Sequence, residues 1–206
     1  MKIDKVVTKG VFSLDGEDFD VEDNIWIVGD ANECIVIDAA HEADPIVEGV
    51  AGRSVRMILC THAHNDHINA ISELQPQLGA PVALHPADEE LWNQVYPNKR
   101  WDEDLKDGDL FTVGGARLQI MHTPGHTPGG VSIYDGEGNV FVGDTLFKGG
   151  PGATGRSFSD FPTIIHSIRT RLLTLPGETV VHPGHGETTT VAAEAPQLDE
   201  WIERGY

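Results

Sequence analysis

With 33 aspartates and glutamates against 14 lysines and arginines, this chain of 206 residues carries a formal charge of −19. Phosphate recognition depends on lysine and arginine, so neither nucleic acid nor anionic membrane is expected as a partner. The length suits a single domain spanning residues 1–206 with a sizeable core, and the 39% apolar and 23% charged content is that of a folded protein.

No apolar run reaches the length of a membrane span, and Met1-Lys2-Ile3-Asp4-Lys5 lacks the apolar core of a signal peptide, so a cytoplasmic protein is expected. Residues 6–14, 25–28 and 34–37 read as a meander of short strands turning at Asp15-Gly16 and Gly29-Asp30, with Asp38 closing the third. Asp44-Pro45 opens a helix that ends at Gly49. Residues 55–60 are short, branched and apolar, the pattern of a buried strand. A helix over 68–78, stopped by Gly79, and a strand over 81–84 follow, then a helix starting at 87–92 with acids in its first turn. The charged segment 98–108 is irregular, and Trp92, Tyr96 and Trp101 are candidates to wall a pocket there. Strands are expected at 110–113, 117–121, 131–134 and 140–142, the last two as a hairpin. The Gly-rich stretch 149–160 has no apolar period and should be a loop over a site. Ser159-Asp160-Phe161-Pro162 caps an amphipathic helix running to about residue 173; a strand at 180–181 and a terminal helix over 189–204, interrupted near Pro196, complete the chain. Cys34 and Cys60 lie within apolar runs and are expected as buried thiols.

The chemistry concentrates in Thr61-His62-Ala63-His64-Asn65-Asp66-His67, directly after a buried strand, where α/β folds place their functional groups. His62 and His64 are two apart, so in extended backbone they share a side and can share one ion. Asp66 and His67 begin the turn into the next helix and can face a second. Three further candidates each follow an apolar run and are flanked by small residues or prolines: His126, Asp144 and His185. Five histidines and two aspartates are too many for one tetrahedral structural zinc. They suit two ions: His62, His64 and His126 on the first, Asp66, His67 and His185 on the second, and Asp144 bridging. With nitrogen and oxygen donors and no thiolate, zinc, iron and manganese all satisfy the set, zinc being the first expectation. His41 and His166 have no such context and are expected on the surface; His85 and His122 are expected in turns or beside the site, and His182 is a weaker candidate to hydrogen-bond near it.

The motif Thr61-His62-Ala63-His64-Asn65-Asp66-His67, then His126, Gly143-Asp144-Thr145-Leu146-Phe147 and Pro183-Gly184-His185-Gly186, in that order, resembles the metallo-β-lactamase superfamily, and the Gly-Asp-Thr-Leu-Phe element its glyoxalase II branch. The resemblance implies an α+β fold, an αββα sandwich with a dinuclear site at one edge of the sheets. It also implies that Asp38 supports the first ligand loop from outside the metal shell. The commonest group of β-lactamases carries a cysteine where this chain has Asp144, so the resemblance points away from β-lactams. Glyoxalase II enzymes carry a C-terminal helical domain that binds glutathione; the chain ends about twenty residues after His185, so that domain is not expected.

Water bridging two dications loses a proton near neutral pH, and the hydroxide attacks a carbonyl whose oxyanion a metal stabilises. Asp66 and Asp144 are then the candidate catalytic carboxylates. A thioester suits such a site, because a thiolate with a pKa of about 8.5 leaves without a strong acid. The expected activity is a glyoxalase II-like thioester hydrolase acting on an acyl or formyl conjugate of a small thiol. Glutathione is one candidate carrier, and a Gly-, Ala- and Asp-rich composition typical of a GC-rich bacterium adds mycothiol. Lys148 and Arg156 are the candidates for binding a substrate carboxylate. The alternatives are a persulfide dioxygenase with one iron on His62, His126 and Asp144, a lactone hydrolase, and a non-catalytic metal-binding module.

Overall fold

Two six-stranded sheets face each other and each is covered on its outer side by helices, as the computed structural model shows for residues 1–205. The first sheet contains β1 (Lys2–Leu14), β2 (Glu17–Gly29), β3 (Glu33–Ile37), β4 (Ser54–Leu59), β5 (Val82–Leu84) and β6 (Glu103–Asp104), in that spatial order. β1 to β3 are antiparallel neighbours, and β3 to β6 run parallel. The second sheet contains β7 (Leu110–Val113), β8 (Ala116–His122), β9 (Val131–Tyr134) and β10 (Asn139–Gly143). A separate ribbon, β11 (Leu146–Phe147) with β12 (Gly150–Pro151), precedes β13 (Val180–Pro183) and β14 (Thr189–Thr190), which complete that sheet in the order β14-β13-β10-β9-β8-β7. β10 and β13 are parallel. This is the αββα sandwich that the motifs implied.

Strand alternation sorts the core into layers. Trp26, Val28, Ile35, Ile37, Met57 and Leu59 point inward and meet Val113, Leu118, Ile120, Val131, Ile133 and Phe141 of the second sheet. Their neighbours Ile25, Ile27, Cys34, Val36, Ile58 and Cys60 point outward, beneath the helices α1 (Ala43–Val50), α2 (Asn65–Ile68), α3 (Ile71–Leu78) and α4 (Glu89–Val95). Both cysteines are therefore free, buried thiols. On the second sheet, α5 (Phe161–Ser167), α6 (Val191–Glu194) and α7 (Leu198–Arg204) bring Ile164, Ile165, Val191 and Trp201 onto Val140, Val142 and Val181.

Several expectations change. The first strands are longer than their apolar runs, because residues 17–24 pair with β1 through backbone bonds that need no apolar pattern. The helix expected over 68–78 is two helices, α2 and α3, and Gly79 ends the second in left-handed conformation. The charged segment contains β6, and the Gly-rich stretch begins with β12. Thr189-Thr190 is a strand, not a helix start: Thr190 pairs with Val180 and its hydroxyl accepts from Ala193 N at 3.3 Å to cap α6. Trp92 and Trp101 pack ring to ring, 5.6 Å apart, in the core, and the Tyr96 hydroxyl donates to Ile68 O at 2.7 Å. These aromatics stabilise the helix layer and do not wall the site.

His182 is buried between the sheets, stacked 4.7 Å from Phe141 and hydrogen-bonded to Asn139 at 3.0 Å. Burial pushes its pKa down to about 4. The unfolded chain takes up that proton below about pH 6.5 while the folded chain resists it, so stability present above that pH is lost as pH falls toward 4. Between pH 7 and 5 this group should remove about 2 kcal/mol of stability. Urea unfolding of metal-free protein is expected to show that loss, and His182→Gln to reduce it by the same amount; an unchanged pH slope in the variant would refute the assignment.

Candidate metal centre

The seven candidate donors come from four strand ends that open at one end of the sandwich. The loop after β4 carries His62 and His64, and the turn into α2 carries Asp66 and His67. The turn after β8 carries His126, the residue after β10 is Asp144, and the loop after β13 carries His185. His62 Nε2 lies 3.1 Å from His64 Nδ1, and His67 Nε2 lies 3.3 Å from His185 Nε2. Asp144 reaches both groups: Oδ1 is 3.4 Å from His67 Nε2, while Oδ2 is 3.7 Å from His126 Nε2 and 3.2 Å from His185 Nε2. Asp66 Oδ2 lies 3.6 Å from His185 Nε2. Donors bound at 2.0–2.2 Å to a tetrahedral ion sit roughly 3.3–3.6 Å from one another, and these separations fall around that value.

The donors fall into groups compact enough to hold ions: His62, His64 and His126; then Asp66, His67 and His185 together with Asp23; and His62, His67 and Asp144. His126 Nε2, Asp66 Oδ1, Asp144 Oδ1 and Asp23 Oδ1 are buried, with no hydrogen-bond partner among the described residues. Unpaired buried polar atoms are costly and rare, and cations would satisfy all of them. The residues therefore fit a pair of metal ions.

Hydrogen bonds behind the donors fix which ring nitrogen faces inward. Asp38 accepts from Thr61 N at 2.7 Å, Thr61 Oγ1 at 2.8 Å and His67 Nδ1 at 3.0 Å. The last bond turns His67 Nε2 to the centre. His126 Nδ1 donates to Ala153 O and His185 Nδ1 to Glu22 O, each at 2.8 Å. Asp38 thus ties the start of the His62–His64 loop to His67.

Burial holds His62, His64 and His126 below the ordinary histidine pKa, leaving neutral rings with a free lone pair. Burial likewise raises Asp66 to about 6. It opposes charge on His185 too, but Asp144 outweighs it and lifts that ring to about 9. Without ions, protons on the His67–His185 side balance the carboxylates; metal binding would displace them.

Three contributors had no motif to announce them. Asp23 and Asn24 stand immediately before the apolar run 25–28, and their position at its edge was their only sequence signal. Asn24 Nδ2 donates to Pro183 O at 3.1 Å and to Gly186 O at 3.0 Å, clamping the His185 loop to β2. In the sequence Asp88 is merely one acid of a helix's first turn. It is 1% exposed and accepts from Ala63 N, Thr127 Oγ1 and Gly129 N, tying the His62–His64 loop to the His126 loop. His41, expected on the surface, has a side chain 4% exposed and paired with Asp23; His166 is exposed as expected. His85 follows β5 and His122, expected in a turn or beside the site, is the last residue of β8; their rings stack 4.2 Å apart.

The two expected substrate cations are each engaged elsewhere. Lys148 pairs with Glu187 beside His185, and Arg156 pairs with Glu17 at 2.6 Å while lying over the Phe19 ring. Arg156 therefore joins the Gly-rich loop to the β1–β2 hairpin.

Gly184 lets the His185 loop approach the centre. A Cβ there would collide with Asp144 Oδ1 and come 2.6 Å from His67 Cε1. Gly184→Ala is expected to weaken retention of the second ion by at least ~10-fold with the fold intact. Metal content after chelator challenge tests this, and wild-type retention would show that the crowding is harmless.

A family profile described as the Metallo-beta-lactamase superfamily matches residues 20–185. The chain belongs to the metallo-beta-lactamase superfamily. It is 31% identical over 188 residues to the hydroxyacylglutathione hydrolase GloC of Haemophilus influenzae, covering 82% of this chain and 87% of that one. Among solved structures, the di-iron-bound form of TTHA1623 is 35% identical with a TM-score of 0.74, over 85% of this chain and 93% of that one. ETHE1 from Myxococcus xanthus is 27% identical with a TM-score of 0.75, over 96% and 89% of the two chains.

Proposed function

We propose that the chain is a metal-dependent hydrolase of glyoxalase II type, cleaving an acyl or formyl conjugate of a low-molecular-weight thiol, glutathione or mycothiol. The observation that carries this reading is the donor cluster: seven side chains from both sheets converge, with buried, unpartnered atoms turned to one space. His62, His64 and His126 would hold one ion, Asp66, His67 and His185 the other, and Asp144 both. Two divalent ions there, zinc, iron or manganese, supply a nucleophile from water near neutral pH and an electrophile for a carbonyl oxygen.

The leaving group follows from what the chain offers. A cleft beside the cluster is lined by Phe147, Lys148, His185, Gly186 and Glu187. The hydrogen bond from Lys148 holds Glu187 below the usual carboxylate range, so Glu187 is no proton donor at neutral pH. A thiolate, with an ordinary pKa of about 8.5, departs without one. Relatives named hydroxyacylglutathione hydrolase support the same substrate class. Lys148, on the rim of that cleft, would exchange Glu187 for a substrate carboxylate; Arg156 would first have to leave Glu17.

Metal-replete protein is expected to hydrolyse hydroxyacyl thioesters of glutathione or mycothiol, to stop after chelation, and to resume on metal addition. Turnover of neither conjugate would sink the reading. A single iron with oxygen uptake on a thiol persulfide would replace it by the dioxygenase, and turnover confined to acyl homoserine lactones by a lactonase.

A further inference from the structure

Asp23 is 1% exposed, and among the described residues only one of its carboxylate oxygens has a hydrogen-bond partner. Oδ2 lies 2.6 Å from His41 Nε2. Oδ1 lies 3.6 Å from His67 Nε2 and 3.5 Å from His185 Nε2, the separations shown by the neighbouring donor Asp66 at 3.8 and 3.6 Å. A buried carboxylate oxygen facing two imidazole nitrogens, with no donor of its own, calls for a cation between them.

His41 sets the aim of that oxygen. The His41 backbone N–H donates to Asn69 Oδ1 at 2.5 Å, which leaves the amide nitrogen Nδ2 facing His41 Nδ1 at 3.1 Å. The amide nitrogen can only donate, so Nδ1 accepts and the ring proton sits on Nε2. Nε2–H therefore donates to Asp23 Oδ2 and leaves Oδ1 turned to the centre. Gly10 makes room for this ring: a Cβ there would collide with His41 Nδ1.

We propose that Asp23 is a ligand of the second ion, alongside Asp66, Asp144, His67 and His185. This rests on the two-ion reading above and adds a donor outside its seven. The second ion then has three carboxylates and two imidazoles, whereas the first has three imidazoles and the shared Asp144. A five-donor, oxygen-rich shell suits manganese or iron, and three imidazoles with one carboxylate suit four-coordinate zinc. The two positions accordingly differ in metal preference.

Metal-free wild-type protein, Asp23→Asn and His41→Asn are titrated with Co(II) and with Mn(II) against a competing chelator, and the cobalt d–d band is recorded. His41 has a φ of 60°, which asparagine tolerates. Wild type is expected to bind two ions. Asp23→Asn should hold the first within about threefold, bind the second ~100-fold more weakly, and show a more intense cobalt band as five donors become four. His41→Asn should weaken the second ion ~10-fold. A folded Asp23→Asn protein with two ions at wild-type affinity and an unchanged band overturns the assignment and leaves the two-ion reading standing. A wild type that binds one ion overturns both. If Asp23→Asn does not fold, His41→Asn decides: weakened second-site affinity supports the assignment, and wild-type affinity overturns it.

Discussion

Asp144→Asn is expected to lower turnover of the proposed thioester substrate by about 10³-fold or more and to leave about one ion per chain. Both oxygens of Asp144 are engaged, one toward His67 and the other toward His126 and His185. An amide of the same shape replaces one oxygen by an NH2 group, which cannot bind a cation. The centre then loses a side chain whose carboxylate reaches both donor groups. A metal acting on a carbonyl contributes several kcal/mol of transition-state stabilisation, and each 1.36 kcal/mol is tenfold in rate, which sets the size of the expected loss. Steady-state kinetics and elemental analysis of the same preparation check it. Two ions with turnover within about tenfold of wild type would show that Asp144 does not bridge.

Asp88→Ala is expected to cost about 3–5 kcal/mol, lowering the melting temperature of metal-free protein by roughly 10 °C. The substitution leaves Ala63 N, Thr127 Oγ1 and Gly129 N without their acceptor inside a buried junction. Because those groups belong to two ligand loops, first-ion affinity should fall as well. Calorimetry of apo protein and chelator competition separate the effects. A variant melting within about 2 °C of wild type would mean that other groups or water take over the three donors.

That the candidate donors His62, His64, Asp66, His67, His126, Asp144 and His185 would come together could be read from sequence because each follows an apolar run at a strand end, and strand ends are where side chains leave the core. Asp23 lies among the donors, and Asn24 and Asp88 brace the loops that carry them, but none of the three could be read that way. Residues 17–24 belong to a charged ribbon that lacks a continuous apolar pattern, so nothing in the pattern placed Asp23 in the same strand as Ile25. Asp88 sits among Glu89 and Glu90, and only the tertiary fold singles it out as the one that turns inward. Lys148 and Arg156 show the converse: the sequence exposes the cation but not its partner, because Glu187 and Glu17 are distant along the chain. The burial of Cys34 and Cys60 followed from their apolar context, whereas the layered arrangement of the sheets was implied only by the motif resemblance.

The clamp of Asn24 onto the His185 loop has a further consequence. His62, His64, Asp66 and His67 hang from the first sheet, and His126, Asp144 and His185 from the second, so the binding cage exists only once the two leaves have closed on each other. Cations seated there act as a rivet through both covers, and whatever binds the closed form alone draws the folding equilibrium toward it. Stripping the metal should therefore let amide hydrogens of residues 23–24 and the 183–187 loop exchange earlier than those of the hydrophobic seam between the sheets. The protein would open like a book from its catalytic edge, with the spine at Ile35, Leu118 and Phe141 the last part to part.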